Sequence, residues 1–143
     1  MSNGTSGFDI GGNAKEQVAL EDEGVVVHIT NANGEPLYFG DKQPVTITVA
    51  GTYSKRYREA ERAVTSRRFK GNRTPDIDAI RKEALNLTAE CVLAWDGFFD
   101  GGKVLECSKA NVVKVLDGFP WVLQQVEVAM GDHAGFSRAV SAS

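Results

Sequence analysis

The spacing of apolar residues along this chain changes near Gly51, from every second position to every third or fourth. Residues 24–50 alternate between apolar and polar side chains, a period of two that is typical of β-strands. Residues 52–136 carry apolar side chains at helical spacing. The pattern therefore predicts an α+β fold, in which a small N-terminal antiparallel β-meander at 24–50 is followed by a helical part at 52–136, a bundle of about four helices.

The meander is predicted to have three strands. The first covers Val25 to Ile29, the second Leu37 to Phe39 and the third Val45 to Val49. Asn33-Gly34, between the first two, is a strong signal for a tight hairpin turn. Each strand is therefore expected to pair with the next one along the chain.

The longest helix is predicted at residues 75–95. Thr74 is suited to cap this helix and Pro75 to occupy its first position. An apolar stripe in steps of three and four is expected to face the core, and its members are Ile77, Ile80, Ala84, Leu87, Cys91 and Ala94, widened by Leu85, Ala89, Val92 and Trp95. Trp95 is expected to close this helix over the last helix of the bundle.

Three further helices complete the predicted bundle. One is capped by Thr52 or Ser54, runs to about residue 69 and carries many Arg and Lys residues. A short helix follows the cap Ser108, and the last helix begins at Pro120. The residues of the last helix that are expected to face inward are Trp121, Val122, Val126, Ala129 and Met130.

The two chain ends differ in composition from residues 24–136, which are expected to form a single domain. Residues 1–23 begin with a stretch rich in Gly, Ser and Asn and are predicted to be a flexible or docking arm. Residues 137–143 are predicted to be a C-terminal tail. No run of 18 or more apolar residues and no secretory signal pattern occurs, so neither membrane contact nor export is expected.

Positive charge is concentrated in one block, residues 55–73. This block contains eight basic and two acidic residues, a net charge of +6, and because the whole chain carries −3 the remainder carries −9. Such a block is typical of a solvated helix face, of a surface that binds an acidic protein, or of one that binds the phosphates of a nucleic acid. Nucleic acid is the least favoured partner, because no aromatic or base-reading motif accompanies the charge.

Residue types that catalyse reactions or bind metals are not grouped in this sequence. His28 and His133 are far apart, and neither lies at metal-ligand spacing from a cysteine. Gly101-Gly102-Lys103 lacks the upstream glycine and the following hydroxyl residue of a phosphate-binding loop. Cys91 and Cys107 have no paired spacing, which indicates reduced thiols. The sequence therefore predicts a protein without catalysis, metal or cofactor.

The C-terminal half combines several local features in a distinctive order. A helix ending in Trp95 is followed by a Gly-rich turn with Asp at 96–102, a Lys and a short apolar piece at 103–105, a helix capped by Ser108, and a helix that starts at Phe119-Pro120-Trp121 and ends before Phe136. Upstream, Gly51 to Arg58 opens a basic helix after an extended module. Over residues 24–136 this order resembles the small tail assembly chaperones and related tail-morphogenesis proteins of tailed bacteriophages.

The resemblance implies a non-enzymatic protein that holds tape-measure or tail-tube subunits while a phage tail is assembled in the host cytoplasm. One alternative is a resident minor component of the virion, in the tail, its completion structure or the neck. A second alternative is a nucleic-acid-binding protein that uses the block at 55–73. The segregated charge is also compatible with a homo-oligomer.

The residues expected to contact partners are aromatic and basic ones, namely Tyr53, Tyr57, Arg58, Arg62, Arg67, Arg68, Phe98 and Phe99. Three of them have a competing interpretation as core residues. Tyr57 then packs inward, and Phe98 and Phe99 fill the space beneath the turn that contains them. No catalytic residue follows from the resemblance.

Overall fold

A computed structural model describes residues 7–71 and 76–142 of the chain. In chain order its elements are α1 (Asn13–Glu23), β1 (Val25–His28), β2 (Tyr38–Phe39), β3 (Gln43–Pro44), β4 (Thr46–Val49), α2 (Lys55–Gly71), α3 (Ile77–Glu90), β5 (Val92–Asp96), β6 (Phe99–Asp100), β7 (Lys103–Val104), α4 (Lys109–Gly118), α5 (Pro120–Gly131) and α6 (His133–Ala142). This mixture of helices and antiparallel strands confirms the predicted α+β class.

The main sheet is antiparallel and has the strand order β1-β4-β5. The predicted meander of three consecutive strands is therefore wrong, although the first and third predicted strands are confirmed as β1 and β4. The second predicted strand, at 37–39, forms backbone hydrogen bonds beside this sheet at Leu37, which donates to the Ile29 carbonyl and accepts from the Val45 amide. Beyond Leu37 it pairs with β3 in a hairpin of two residue pairs.

The place beside β4 is taken by β5 because the two strands match in register. Ile47 in β4 lies opposite Val27 of β1 on one side and Trp95 of β5 on the other. Val92 and Val49 are likewise opposite one another and buried. Pairing of apolar positions across a sheet stabilises it, and β5 offers more paired positions than the short β2.

The predicted helix at 75–95 is wrong in its last part. α3 ends at Glu90, Cys91 is its C-cap, and β5 follows. The segment Val92–Asp96 has helical spacing in the sequence, but pairing with β4 supplies hydrogen bonds and burial that outweigh this local signal. At the other end, Asp76 is the N-cap and accepts from the Ala79 amide at 2.7 Å. The predicted cap Thr74 and the predicted first residue Pro75 lie outside the described residues.

Within α3 the predicted apolar stripe is buried only in part, at Leu85 and Ala89. Ile77 is 84% exposed and Ile80 is 45% exposed, although both belong to the stripe expected to face the core. The buried residues of α3 are Leu85, Thr88 and Ala89. Because α3 packs against both α2 and α4, its position between these neighbours decides which face is covered.

The core lies between the sheet and the helices α3, α4 and α5. Ser108 caps α4 by accepting from the Asn111 amide at 3.2 Å, and Pro120 is at the start of α5, so both predicted helix starts are confirmed. The prediction that Trp121 faces inward is wrong, because Trp121 is 37% exposed. The core residues contributed by α4 and α5 are Val112, Val115, Leu116, Val122, Val126 and Met130.

Trp95 lies on β5, so the prediction that it ends a core helix is wrong. Its indole Nε1 donates to the Leu105 carbonyl at 2.9 Å. Its ring stacks on Phe98 with 4.4 Å between the ring centroids. Trp95 therefore attaches the segment around the β6-β7 hairpin to the main sheet.

Both ends of the described chain contribute to the fold. The predicted arm at 1–23 contains α1, which packs against α6 and α2. The predicted tail at 137–143 continues α6 as far as Ala142, and Phe136 in α6 is 1% exposed. Within the described residues, α6 is thus a helix beyond the four predicted after the strands. No helix in the same part of the chain is both long and apolar enough to cross a membrane.

Candidate protein-binding surfaces

Hydrogen bonds at its N-terminus anchor α2, the helix that contains most of the basic block. The Ser54 hydroxyl accepts from the Tyr57 amide at 3.0 Å, which makes Ser54 one of the two predicted caps. The Asp22 carboxylate accepts from the amides of Lys55 and Arg56 at 3.1 and 3.2 Å. These acceptors satisfy donors that a helix start leaves unpaired, and the carboxylate opposes the positive end of the helix dipole. The position of α2 is therefore tied to α1.

Among the α2 residues with described side chains, 55–67, most are exposed. The half-buried residues are Tyr57, Ala60 and Val64. Arg58 and Arg62 are exposed and lie one turn apart, so they share one side of the helix. Neither forms an ion pair with any of the described residues. We call these two residues the cationic face of α2. Arg68 also belongs to α2, but its side chain is outside the described part of the structure.

Arg67 lies about 140° around the helix from Arg62. It lines a polar groove of about 660 Å³ between α2 and α3. In this groove the Lys109 ammonium pairs with Glu90 at 2.5 Å, and the Arg56 guanidinium donates to the Glu90 carbonyl at 3.0 Å. Arg67 therefore lies apart from Arg58 and Arg62 on the helix surface.

Tyr53 and Tyr57 have different surroundings. Tyr57 is half-buried and packs against the core. Its burial, together with the nearby negative charge of Glu61, raises the pKa of its phenol. Tyr53 is 49% exposed, and its ring stacks face to face on His133 with 3.6 Å between the centroids. One face of the Tyr53 ring is thus covered by its own chain.

A buried carboxylate that the sequence did not indicate lies beside this ring stack. Glu21 is fully buried, and its oxygens accept from the Tyr53 amide at 2.9 Å and from Gln17 Nε2 at 2.6 Å. One oxygen also lies 2.8 Å from His133 Nδ1. This cluster connects α1, the residues before α2, and α6. The contacts of Glu21 with Tyr53 and His133 join different parts of the chain, so the cluster serves the fold.

Phe98 and Phe99 follow a turn that only glycine can form. Gly97 has a φ of +88°, and a Cβ at this position would lie 2.5 Å from the Phe39 ring. Phe98 is half-buried and stacks on Trp95, as in the interpretation of Phe98 as a core residue. Phe99 is 47% exposed, and its centroid is 5.9 Å from that of Phe39. The two neighbouring phenylalanines therefore point to different surroundings.

Four exposed aromatic residues meet around an apolar groove of about 600 Å³. They are Tyr38 (56% exposed), Phe99 (47%), Phe119 (46%) and Trp121 (37%). The apolar residues that line the groove with them include Ile29, Leu37, Val45, Leu105, Val115 and Val122. Exposed aromatic side chains around an apolar depression are typical of protein-binding surfaces. We call this site the aromatic groove.

Sequence reasoning identified only Phe99 among these four aromatic residues. Tyr38 and Phe119 lie next to turns, and Trp121 has the spacing of an inward-facing helical residue. The available signal is that Phe119 and Trp121 flank Pro120 and that Tyr38 lies two residues before Gly40, where the chain changes direction. Their convergence depends on contacts between distant segments and could not be read from that signal.

The described residues include side-chain types that can ligate metals, as well as two thiols. None of the described His, Cys, Asp and Glu side chains form a group of three or more that could hold a metal ion. Cys91 and Cys107 are free thiols. Burial raises the pKa of both, that of Cys91 to about 11. Both thiols are therefore protonated at neutral pH and poorly nucleophilic.

Comparison of the chain with protein-family models, with curated proteins and with solved structures gave no match.

Proposed function

We propose that this protein binds other phage tail proteins, the tape-measure or tail-tube subunits, and assists tail assembly in the host cytoplasm without catalytic turnover. The observation that carries the proposal is the cationic face of α2, whose Arg58 and Arg62 are exposed and have no ion-pair partner among the described residues. The sequence resemblance supplies the class of partner.

The geometry of α2 supports binding to an acidic protein surface. Because Ser54 and Asp22 hold the start of the helix, the two arginines are presented on a scaffold with a defined direction. A partner carboxylate can accept a charge-assisted hydrogen bond from the guanidinium of Arg58 or Arg62. No ion pair between these arginines and a described residue has to break first. Complementary charge of this kind raises association rates and selects partners.

The test is a binding assay with purified tape-measure and tail-tube subunits of a tailed phage. Arg58→Glu/Arg62→Glu should weaken binding by about 10-fold or more, because two attractive contacts become repulsive. Lys15→Glu/Lys103→Glu changes the net charge equally at exposed positions outside α2 and should change affinity by less than about 2-fold. Arg67→Glu, tested separately, reports whether the polar groove takes part.

The same assay separates this function from its alternatives. Duplex DNA is titrated over a range of salt concentrations, because phosphate binding weakens steeply with salt. Binding to DNA with a steep salt slope, together with no binding to either tail subunit, would overturn the proposal. Mass spectrometry of purified virions distinguishes an assembly factor, which leaves the particle, from a resident minor component.

A further inference from the structure

The chain carries a second apolar feature that is exposed, besides the aromatic groove. In the segment before α1, Phe8 is 77% exposed and Ile10 is 79% exposed. Neither residue lines the aromatic groove of its own chain. One chain thus presents both an apolar groove and a short apolar segment, and neither is covered by the described residues.

We propose that the aromatic groove of one copy binds the segment Phe8–Ile10 of a second copy. This interaction goes beyond the capture of tail subunits and uses surfaces separate from the cationic face of α2. Phe8 and Ile10 lie on either side of Asp9 and are both exposed, so both side chains are available to a second copy. Both can then enter the groove between the exposed aromatic rings, where burial of apolar area favours binding.

The negative charge of Asp9, which lies between Phe8 and Ile10, is complementary to the positive charge of a groove residue, Lys114. Asp9 is exposed, and one of its side-chain oxygens accepts from the Gly11 amide at 2.8 Å. Lys114 lines the groove, is exposed and has no ion-pair partner among the described residues. Asp100 also lines the groove and would repel Asp9. The incoming segment therefore has an orientation, with Asp9 toward α4 and away from β6.

Gly11 and Gly12 allow the segment to leave its own domain. A Cβ added at Gly12 would meet nothing within 4 Å, so no side chain is packed tightly against this position. A contact between a segment of one copy and a groove of the next uses two different surfaces. Such a contact is heterologous, and copies can add one after another instead of stopping at a symmetric pair.

The test is a complementation experiment with two variants, followed by analytical ultracentrifugation. Phe8→Ser/Ile10→Ser removes the segment's apolar side chains, and Tyr38→Ser/Phe99→Ser removes two exposed walls of the groove. The wild type should show an average mass that rises with concentration, whereas each variant alone should stay at the monomer mass. An equimolar mixture should form a heterodimer and nothing larger, because one intact groove meets one intact segment.

Charge exchange tests the orientation of the segment. Lys114→Glu should weaken self-association by about 5-fold or more, and Asp9→Lys in the same chain should restore it, because the pair is reversed. Val26→Ser, at a 63% exposed residue outside the groove, is the matched control and should leave self-association unchanged. Circular dichroism checks that each variant is folded.

Two results would overturn the inference. In the first, the wild type remains monomeric at all concentrations, which means that the segment binds either the groove of its own chain or no groove at all. In the other, the wild type self-associates but the equimolar mixture does not form the heterodimer, which indicates a different interface. Neither result bears on the tail subunits, since those binding measurements depend on Arg58 and Arg62.

Discussion

At the scale of single residues, the buried carboxylate of Glu21 explains why residue 51 is a glycine. The Gly51 amide donates to the Glu21 carbonyl at 3.1 Å, and the Glu21 side chain occupies the space beside the Gly51 Cα. A Cβ at this position would collide with Glu21 Oε1 and would lie 2.8 Å from Phe136 Cζ. Neither neighbour can retreat, because both are buried.

Gly51→Ala is therefore expected to lower the free energy of unfolding by about 2 kcal/mol or more, as other overpacking substitutions in cores do. Gly118→Ala is the matched control, since a Cβ at the end of α4 meets nothing within 4 Å. That control should be neutral or stabilising by up to about 1 kcal/mol. Urea unfolding measures both, and equal effects of the two substitutions would contradict the packing around Glu21.

The thiol of Cys91 predicts how stability depends on pH. Burial raises its pKa from 9.0 to about 11, so the fold favours the protonated form. This contribution is fully present below pH 9.0 and is lost as the pH rises toward about 11. Cys107 and Tyr57 act in the same direction, because the pKa of each is raised as well.

The free energy of unfolding should therefore fall as the pH rises above 9.0, by at most about 3 kcal/mol from Cys91. Cys91→Ala removes this titrating group and should make the decrease with pH smaller, although it also lowers stability at neutral pH by removing a buried side chain. Urea unfolding across this pH range gives both profiles. Parallel profiles for the two proteins would show that Cys91 does not contribute.

At the scale of elements, α3 shows that an apolar stripe does not by itself identify the buried face of a helix. Ile77 and Ile80 continue the stripe, but they extend from a part of α3 that the described residues leave exposed. Leu85 and Ala89 lie further along, where α3 meets α4 and the sheet. The face that is covered therefore depends on the neighbours of α3.

Leu85→Ala is expected to cost about 2–5 kcal/mol, the range for a leucine removed from a core. Ile77→Ala should change stability by less than about 0.5 kcal/mol, because Ile77 is 84% exposed. Chemical denaturation of the two variants makes the comparison. The sequence stripe alone predicts similar costs for both residues, so similar measured costs would favour the stripe over the structure.

At the scale of the whole molecule, the two ends of the chain close the fold together. α1 packs against α6, and the pair of Glu21 and His133 links these helices. Glu21 and Asp22 also supply the acceptors for four amides ahead of and within α2, those of Gly51, Tyr53, Lys55 and Arg56. α1 thus supports the helix that carries the cationic face.

Deletion of residues 1–11 should leave the free energy of unfolding within about 0.5 kcal/mol of the intact chain, because the removed residues that the structure describes are exposed. Deletion of residues 1–23 should lower it by about 4 kcal/mol or more, since four amides lose their acceptors at about 1 kcal/mol each. Thermal and urea unfolding of the two truncated chains compare them. A stable chain lacking α1 would show that α1 is dispensable.

The cationic face shows how much of the candidate sites the sequence could reveal. The spacing of Arg58 and Arg62 places them on one side of a helix whatever the surroundings of that helix, so this part was predictable. The separation of Arg67 from them follows from the same geometry. The aromatic groove was not predictable, because Tyr38, Phe99 and Trp121 belong to segments that meet only in the folded chain.

By itself the sequence determined the α+β class, the strands β1 and β4, and the starts of α4 and α5. These features depend on alternation and on capping, which act between residues close together in the chain. Only the tertiary structure decided that β5 pairs with β4, that one face of α3 is left exposed, and that four aromatic residues surround one groove. The physical reason is that backbone pairing and burial are contacts between distant segments, and their free energy outweighs the local preference of a segment for helix or strand.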